Sequence, residues 1–319
     1  MTATLGVTTP APPLARSGAK RSGLKRREEL EGYIWVSPWL IGFFAFTLLP
    51  FLASFALGFT DWNGVGTPKW VGLSNFIHLF TADPLFWQSL KVTAIFAALY
   101  LPLSLVLGFG LALLMNQPLP GMRFFRTLYY APSVLSGVAV AVLWGFIFNT
   151  NFGVLNWMLG LVGIAPVPWL ESSFWVLPAF VIMQLWGVGG SMLIYLAGIQ
   201  GVPTELYDAA LVDGATWRSR LRHITLPMTS PTILFNLVLG LIGTFQIFTQ
   251  AYIITQGGPN YGSYFYALNL YDTAFQDLRL GYASAMATVL FLIIALVSAA
   301  VFRWSRTWVY YAGRRGPAG

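Results

Sequence analysis

The sequence has no cysteine among its 319 residues. Disulfides, thiolate nucleophiles, iron–sulfur ligation and cysteine-bound zinc are thereby excluded. Its two histidines, His78 and His223, stand far apart, which leaves no histidine metal motif. No Gly-Lys pair occurs, so there is no P-loop to cradle nucleotide phosphates. His-Glu-x-x-His and Gly-x-Ser-x-Gly are absent too, and no other catalytic constellation replaces them. Charge is the scarcest property of all: 9% of residues carry it, where soluble domains carry roughly a quarter. So few charges cannot make a water-facing surface, and disordered chains, collagen-like repeats and most soluble enzymes are excluded with it.

What is present is apolar. Hydrophobic residues make up 56% of the chain and aromatics 16%. Six runs near 34–57, 92–115, 129–148, 176–196, 233–254 and 283–302 contain no Lys, Arg, Asp, Glu or His. Each reaches about the 20 residues that a helix needs to cross a bilayer. Strands of a membrane barrel alternate over about ten residues, and these runs are apolar all round, so helices are the reading. Pro38, Pro50, Pro102, Pro132 and Pro178 lie in or beside the runs, where a missing backbone donor tends to kink a helix. Small residues such as Gly108, Gly187, Gly189 and Gly190 read as close helix packing. The expected fold is an all-α integral membrane bundle of six helices.

Six crossings put both termini on one side. If that side is the cytoplasm, all but Lys69, Lys91 and Arg279 of the 18 basic residues lie inside. Glu28, Glu29, Glu31, Glu205, Asp208 and Asp213 also lie inside, and the other acidic residues outside. The inner side remains strongly positive, as the bias toward basic cytoplasmic loops requires. The net charge of +7 is then a mark of topology, and no nucleic-acid partner is needed to account for it. Residues 1–32, rich in small residues and Pro and then basic, read as a disordered cytoplasmic tail. They do not read as a cleaved signal, because the first apolar run is too long and begins too late. The membrane body spans 33–305, and 306–319 form a second cytoplasmic tail.

The loop between the fourth and fifth runs, 201–231, reads GVPTELYDAALVDGATWRSRLRHITLPMTSP. Pro203 suits a first helical position, and Glu205 complements the helix dipole in the first turn. Leu206, Ala209, Ala210 and Asp213 then share adjoining parts of one face. Gly214 suits a left-handed stop, and Thr216 an N-cap for a second, basic helix over 217–222. Pro227 and Pro231 are expected to lead into the fifth run. Such a segment is either an amphipathic loop on the membrane surface or a docking element, with Ala pairs for close approach and carboxylates for a partner's arginine.

This segment resembles the EAA motif of permease subunits from binding-protein-dependent ABC importers. Asp208, Ala209, Ala210, Gly214, Ile224, Leu226 and Pro227 fill its positions, with Asp208 standing where the motif has Glu. Pro203, Glu205, Leu206, Asp213 and Ala215 match the version in sugar importers. Residues 71–76, Gly257-Gly258-Pro259 and 281–285 resemble the same branch, so the likeness covers about 30–305. It implies the fold of a type I importer permease in a bacterial inner membrane, of the kind of the first of two permease partners in carbohydrate or glycerol-3-phosphate uptake. Glu205, Asp208, Ala209, Ala210, Asp213 and Gly214 would be the docking residues for an ATPase. The partners implied are a second homologous permease, two ATPase subunits that use ATP and Mg²⁺, and an extracytoplasmic solute-binding protein. This chain itself would bind no cofactor or metal.

Neutral polar residues in apolar surroundings mark a candidate solute path: Asn149, Gln184, Trp186, Asn236, Thr244, Gln246, Thr249, Gln250 and Tyr252. Asn236, Gly240, Gly243, Ile247 and Gln250 fall along one helical stripe. A polar stripe is costly in lipid unless it faces a cavity or another helix. The absence of intramembrane charge favours an uncharged solute, and it counts against a proton-coupled carrier, the alternative along with a stand-alone channel.

Overall fold

Backbone polar groups find no water partner in lipid, so an apolar chain satisfies them within helices. The computed structural model, which describes residues 21–310, is accordingly almost wholly helical. Its elements are α1 (Arg21–Phe43), α2 (Leu49–Leu57), β1 (Thr60–Asp61), β2 (Lys69–Trp70), α3 (Ser74–Thr81), α4 (Pro84–Met115), α5 (Met122–Val134), α6 (Gly137–Ile147), α7 (Val154–Leu161), α8 (Val176–Trp186), α9 (Gly189–Gln200), α10 (Thr204–Val212), α11 (Trp217–Arg220), α12 (Leu226–Phe245), α13 (Thr249–Ile254), α14 (Tyr266–Tyr271) and α15 (Leu280–Ser305). Wide π-turns over Phe44–Leu48, Leu221–Thr225 and Asp272–Gln276 join α1 to α2, α11 to α12, and extend α14.

Four helical segments are long and apolar enough to cross a membrane: Arg26–Leu57, Pro84–Met115, Trp217–Ile254, which is interrupted after Phe245, and Leu280–Ser305. Two further pairs, α5 with α6 and α8 with α9, pass the same test together but bend by 98° and 49°. Each pair counted as one broken span makes six, the number expected from the sequence. The described residues fall into two units, up to Ala53 and from Ser54 onward. The first is a single long helix with its apolar side chains exposed, Trp35 and Phe46 among them. It begins at Arg21, so residues 21–32 are helical where the composition suggested disorder. The run from Lys25 to Glu31 is made of good helix formers, and Arg27 pairs with Glu31 at 3.0 Å. The rest of both expected tails, 1–20 and 311–319, lies outside the described residues.

The second unit corrects several boundaries. The second span starts at Pro84, not 92. Asp83 caps it, accepting from the Leu85 and Phe86 amides at 2.9 and 3.0 Å, and Pro84 occupies the first turn, where its missing donor costs nothing. Lys91 stays exposed on one face of this helix and does not end it. The third span is broken after Pro132: Leu135 is extended, and Ser136 caps a new helix by accepting from the Ala139 amide. The fourth breaks at Gly187–Val188. An ideal Cβ on Gly189 would stand 2.0 Å from the Tyr129 carbonyl oxygen, so only glycine lets α9 cross α5 at this distance.

Three buried clusters hold the second unit together. One lies around Phe96, Phe148, Phe180 and Phe265, one around Phe86, Tyr266 and Met286, and one around Met192 and Tyr195. At the end opposite α10, polar ties add to the apolar packing around Leu79 and Phe86. Asn75 donates to the carbonyls of Gly58 and Thr60 at 2.9 Å each, Gly281 donates to Trp62, and the Tyr282 hydroxyl reaches Asp83 at 2.6 Å. The segments 71–76 and 281–285 thus meet in one place. Asn156 makes four bonds, to Thr150, to both Val167 backbone groups and to the Trp169 indole, and pins the loop around α7. Burial raises the Asp272 carboxyl above its ordinary range, with Asp277 adding to this, although Tyr264 and Gln276 donate to it.

Candidate functional site

The loop between the fourth and fifth spans is helical, as its residues suggest. Pro203 is the N-cap of α10, one position earlier than expected, and Glu205 lies in the first turn. Gly214 ends the helix with a φ of +72°, a conformation glycine adopts without strain. Thr216 caps α11 by accepting from the Ser219 amide at 3.3 Å. The second helix is short and runs through the π-turn at Leu221–Thr225 directly into α12. Pro227 therefore begins α12 inside a continuous helical segment, and Pro231 is carried within it, where two separate helices had been expected.

No residue of α10 is buried. Leu211 and Val212 are 54% and 90% exposed, beside Leu206 at 41%, which is unusual for large apolar side chains on a surface helix. Glu205, Asp208 and Asp213 are exposed as well, and none has an ion-pair partner among the described residues. Ala209 lies open and Ala210 half-buried, so a partner can approach the backbone closely there. One side-chain tie connects this helix to the spans: the Tyr207 hydroxyl meets Thr225 Oγ1 at 3.0 Å.

A second feature lies within the bundle. A cleft of about 330 Å³ opens between α4, the α8–α9 break and α12. Gln184, Asn236 and Thr244 line it, with Tyr100, Ser104, Ser191 and Tyr195. Its lining carries no charge. Most of its donors are already used within their own helices: Ser104 bonds to Leu101, Ser191 to Val188, and Asn236 to Thr232. Oxygen lone pairs are left to face the space. The Tyr195 hydroxyl is buried and has no hydrogen-bond partner among the described residues.

The other candidate path residues lie outside this lining. Asn149 accepts from the Asn151 and Phe152 amides and shapes a turn. Trp186 packs edge-on against Trp144, while Tyr252 stacks on Phe248 and meets Tyr271 edge-on. Gln246 is the C-cap of α12, and the interruption there takes Ile247 and Gln250 off the stripe that Asn236 begins. Thr249 and Gln250 instead stand opposite Gly137 on α6. Tyr100, Ser104, Ser191 and Tyr195 were missed, though the signal that picked out Gln184, a polar side chain inside an apolar run, also marks Ser104.

Apolar helices around an uncharged cleft, with an exposed helical loop at one end, define a transport permease of the membrane-spanning kind. The chain belongs to the family of binding-protein-dependent transport system inner membrane components, whose model matches residues 104–309. It is 42% identical to the probable ABC transporter permease protein YesP of Bacillus subtilis, over 92% of this chain and 96% of that one. It is 33% identical to the trehalose/maltose transport system permease protein MalF of Thermococcus litoralis, over 89% and 98% of the two chains. The lactose transport system permease protein LacF of Rhizobium radiobacter is also 33% identical, over 87% and 95%. Among solved structures, a chain of a bacterial ABC transporter that imports alginate matches with a TM-score of 0.79 and 25% identity, over 90% of this chain and 99% of that one.

Proposed function

We propose that this chain is one permease subunit of an ATP-driven importer of sugars. It forms half of a path completed by a second, homologous permease. Two ATPase subunits supply the energy, since this sequence has no phosphate-binding loop. An extracytoplasmic binding protein delivers the solute, and both termini face the cytoplasm, as the basic loops favour. The observation that carries the reading is α10: an exposed helix with unpaired carboxylates and bare Leu and Val side chains, tied to the fifth span through Tyr207.

In this reading Glu205, Asp208, Ala209, Ala210, Asp213 and Gly214 meet the ATPase surface. Closure of the ATPase pair on ATP moves α10, and the continuous helix from Trp217 passes that motion to α12, one wall of the cleft. Neutral solutes suit the cleft. A sugar hydroxyl can donate to the free lone pairs of Ser104, Ser191 and Asn236, while Tyr100 and Tyr195 offer rings and a free hydroxyl. Disaccharide-transport relatives are in keeping with this chemistry.

Replacing Ala210 by Glu and Gly214 by Arg puts bulk and new charges on the docking face. Uptake should fall to background, and the ATPase should no longer co-purify with the permease pair. Wild-type uptake by that variant would refute the docking role.

A further inference from the structure

A second cavity, of about 450 Å³, lies where α4 ends and the fifth span begins. Gly110 to Gln117 form one side, Ile199 and Tyr207 another, and Trp217 to Thr225 the third. The transport path does not use it. Its charged group is Arg220, whose Nε is buried without a hydrogen-bond partner. No carboxylate pairs with this guanidinium among the described residues. The nearby Arg126 is different: it donates to the Met115 carbonyl at 2.6 and 3.1 Å. A buried guanidinium N–H left unpaired is costly, and an anion relieves the cost.

The rest of the cavity says what kind of anion. The side-chain amides of Asn116 and Gln117 line it and make no hydrogen bond among the described residues. Beside them stands the Tyr207–Thr225 hydroxyl pair. Leu113, Leu114 and Leu221 make apolar walls, and Trp217, 57% exposed, stands at the rim. Donors and hydrocarbon walls in one cavity match a phosphate that carries an acyl glycerol. A free phosphate would leave the apolar walls without a role. The cavity also sits at the ends of two spans, the level at which bilayer hydrocarbon gives way to headgroups.

We infer that this cavity binds one anionic phospholipid, with its phosphate on Arg220 and its chains against Leu113 and Leu114. Because Tyr207 belongs to α10, the lipid clamps the exposed helix to the spans. That consequence rests on the coupling role proposed above; the binding itself does not.

The test is native mass spectrometry of the purified full-length chain, titrated with phosphatidylglycerol, phosphatidylcholine or inorganic phosphate. One phosphatidylglycerol adduct should be held about tenfold more tightly than phosphatidylcholine, the size of one charge-assisted contact, and should survive excess inorganic phosphate. Arg220→Gln should remove that preference, and Arg222→Gln, an exposed neighbour, should leave it intact. Leu114→Trp, which fills the apolar wall and keeps the charge, should weaken the adduct as well, and it decides the matter if the Arg220 variant does not fold. Unchanged binding by Leu114→Trp or by folded Arg220→Gln would overturn the inference. So would equal losses in Arg222→Gln, or displacement of the lipid by inorganic phosphate.

Discussion

Individual side chains divide between those that hold the fold and those that wait for a ligand. Asn156 is of the first kind. Each of its four bonds satisfies a group in the loop around α7, and its removal strands the Val167 amide and the Trp169 indole N–H. Asn156→Ala should lower stability by about 2 to 4 kcal/mol, read as a drop in the thermal midpoint of the purified chain. In the proposed reading Tyr195 is of the second kind. Its ring is buried, but its hydroxyl has no partner in the bundle. Tyr195→Phe should therefore keep the melting temperature and raise the KM for uptake several-fold. A lower melting temperature with unchanged KM would assign the hydroxyl to packing instead. Three of the seven polar residues that line this cleft were legible in the sequence. Gln184, Asn236 and Thr244 stand out as polar side chains in apolar runs, whereas a tyrosine such as Tyr195 reads equally well as core.

Among the elements, existence was easier to read than direction. Length and the absence of charge marked all six apolar segments, and the cap residues Thr216 and Gly214 marked the helices of the loop. Hydropathy has no term for a change of course, so the 49° bend at Gly187–Val188 was not visible, and the 98° turn after Pro132 was marked only by the general tendency of proline to kink a helix. Proline alone did not settle it either: Pro102 sits inside the unbroken α4, while Pro132 precedes a break because Ser136 stands ready to cap a new helix. The same blindness sent the stripe from Asn236 on to Gln250, through an interruption at Gln246 that composition does not mark. The crossing of α5 and α9 gives a sharp test. Gly189→Ala should cost about 3 kcal/mol, because its Cβ meets the Tyr129 carbonyl. Gly190→Ala, whose Cβ would meet Ser133 at an ordinary 3.7 Å, should melt like the wild type.

At the scale of the molecule, scarcity of charge and division of labour belong together. A carrier that moves solute against a gradient by itself usually keeps ionisable groups in the membrane. Here the cleft is uncharged, and three unpaired carboxylates sit outside it, on and beside an exposed helix. In the proposed reading, energy arrives through that helix from a partner. The most direct measurement is sugar accumulation in liposomes, comparing this chain alone with the chain reconstituted beside its partner permease, ATPase and binding protein. The expected result is no transport by the single chain and ATP-dependent accumulation by the complete assembly. Solute uptake by the single chain without ATP would contradict the account.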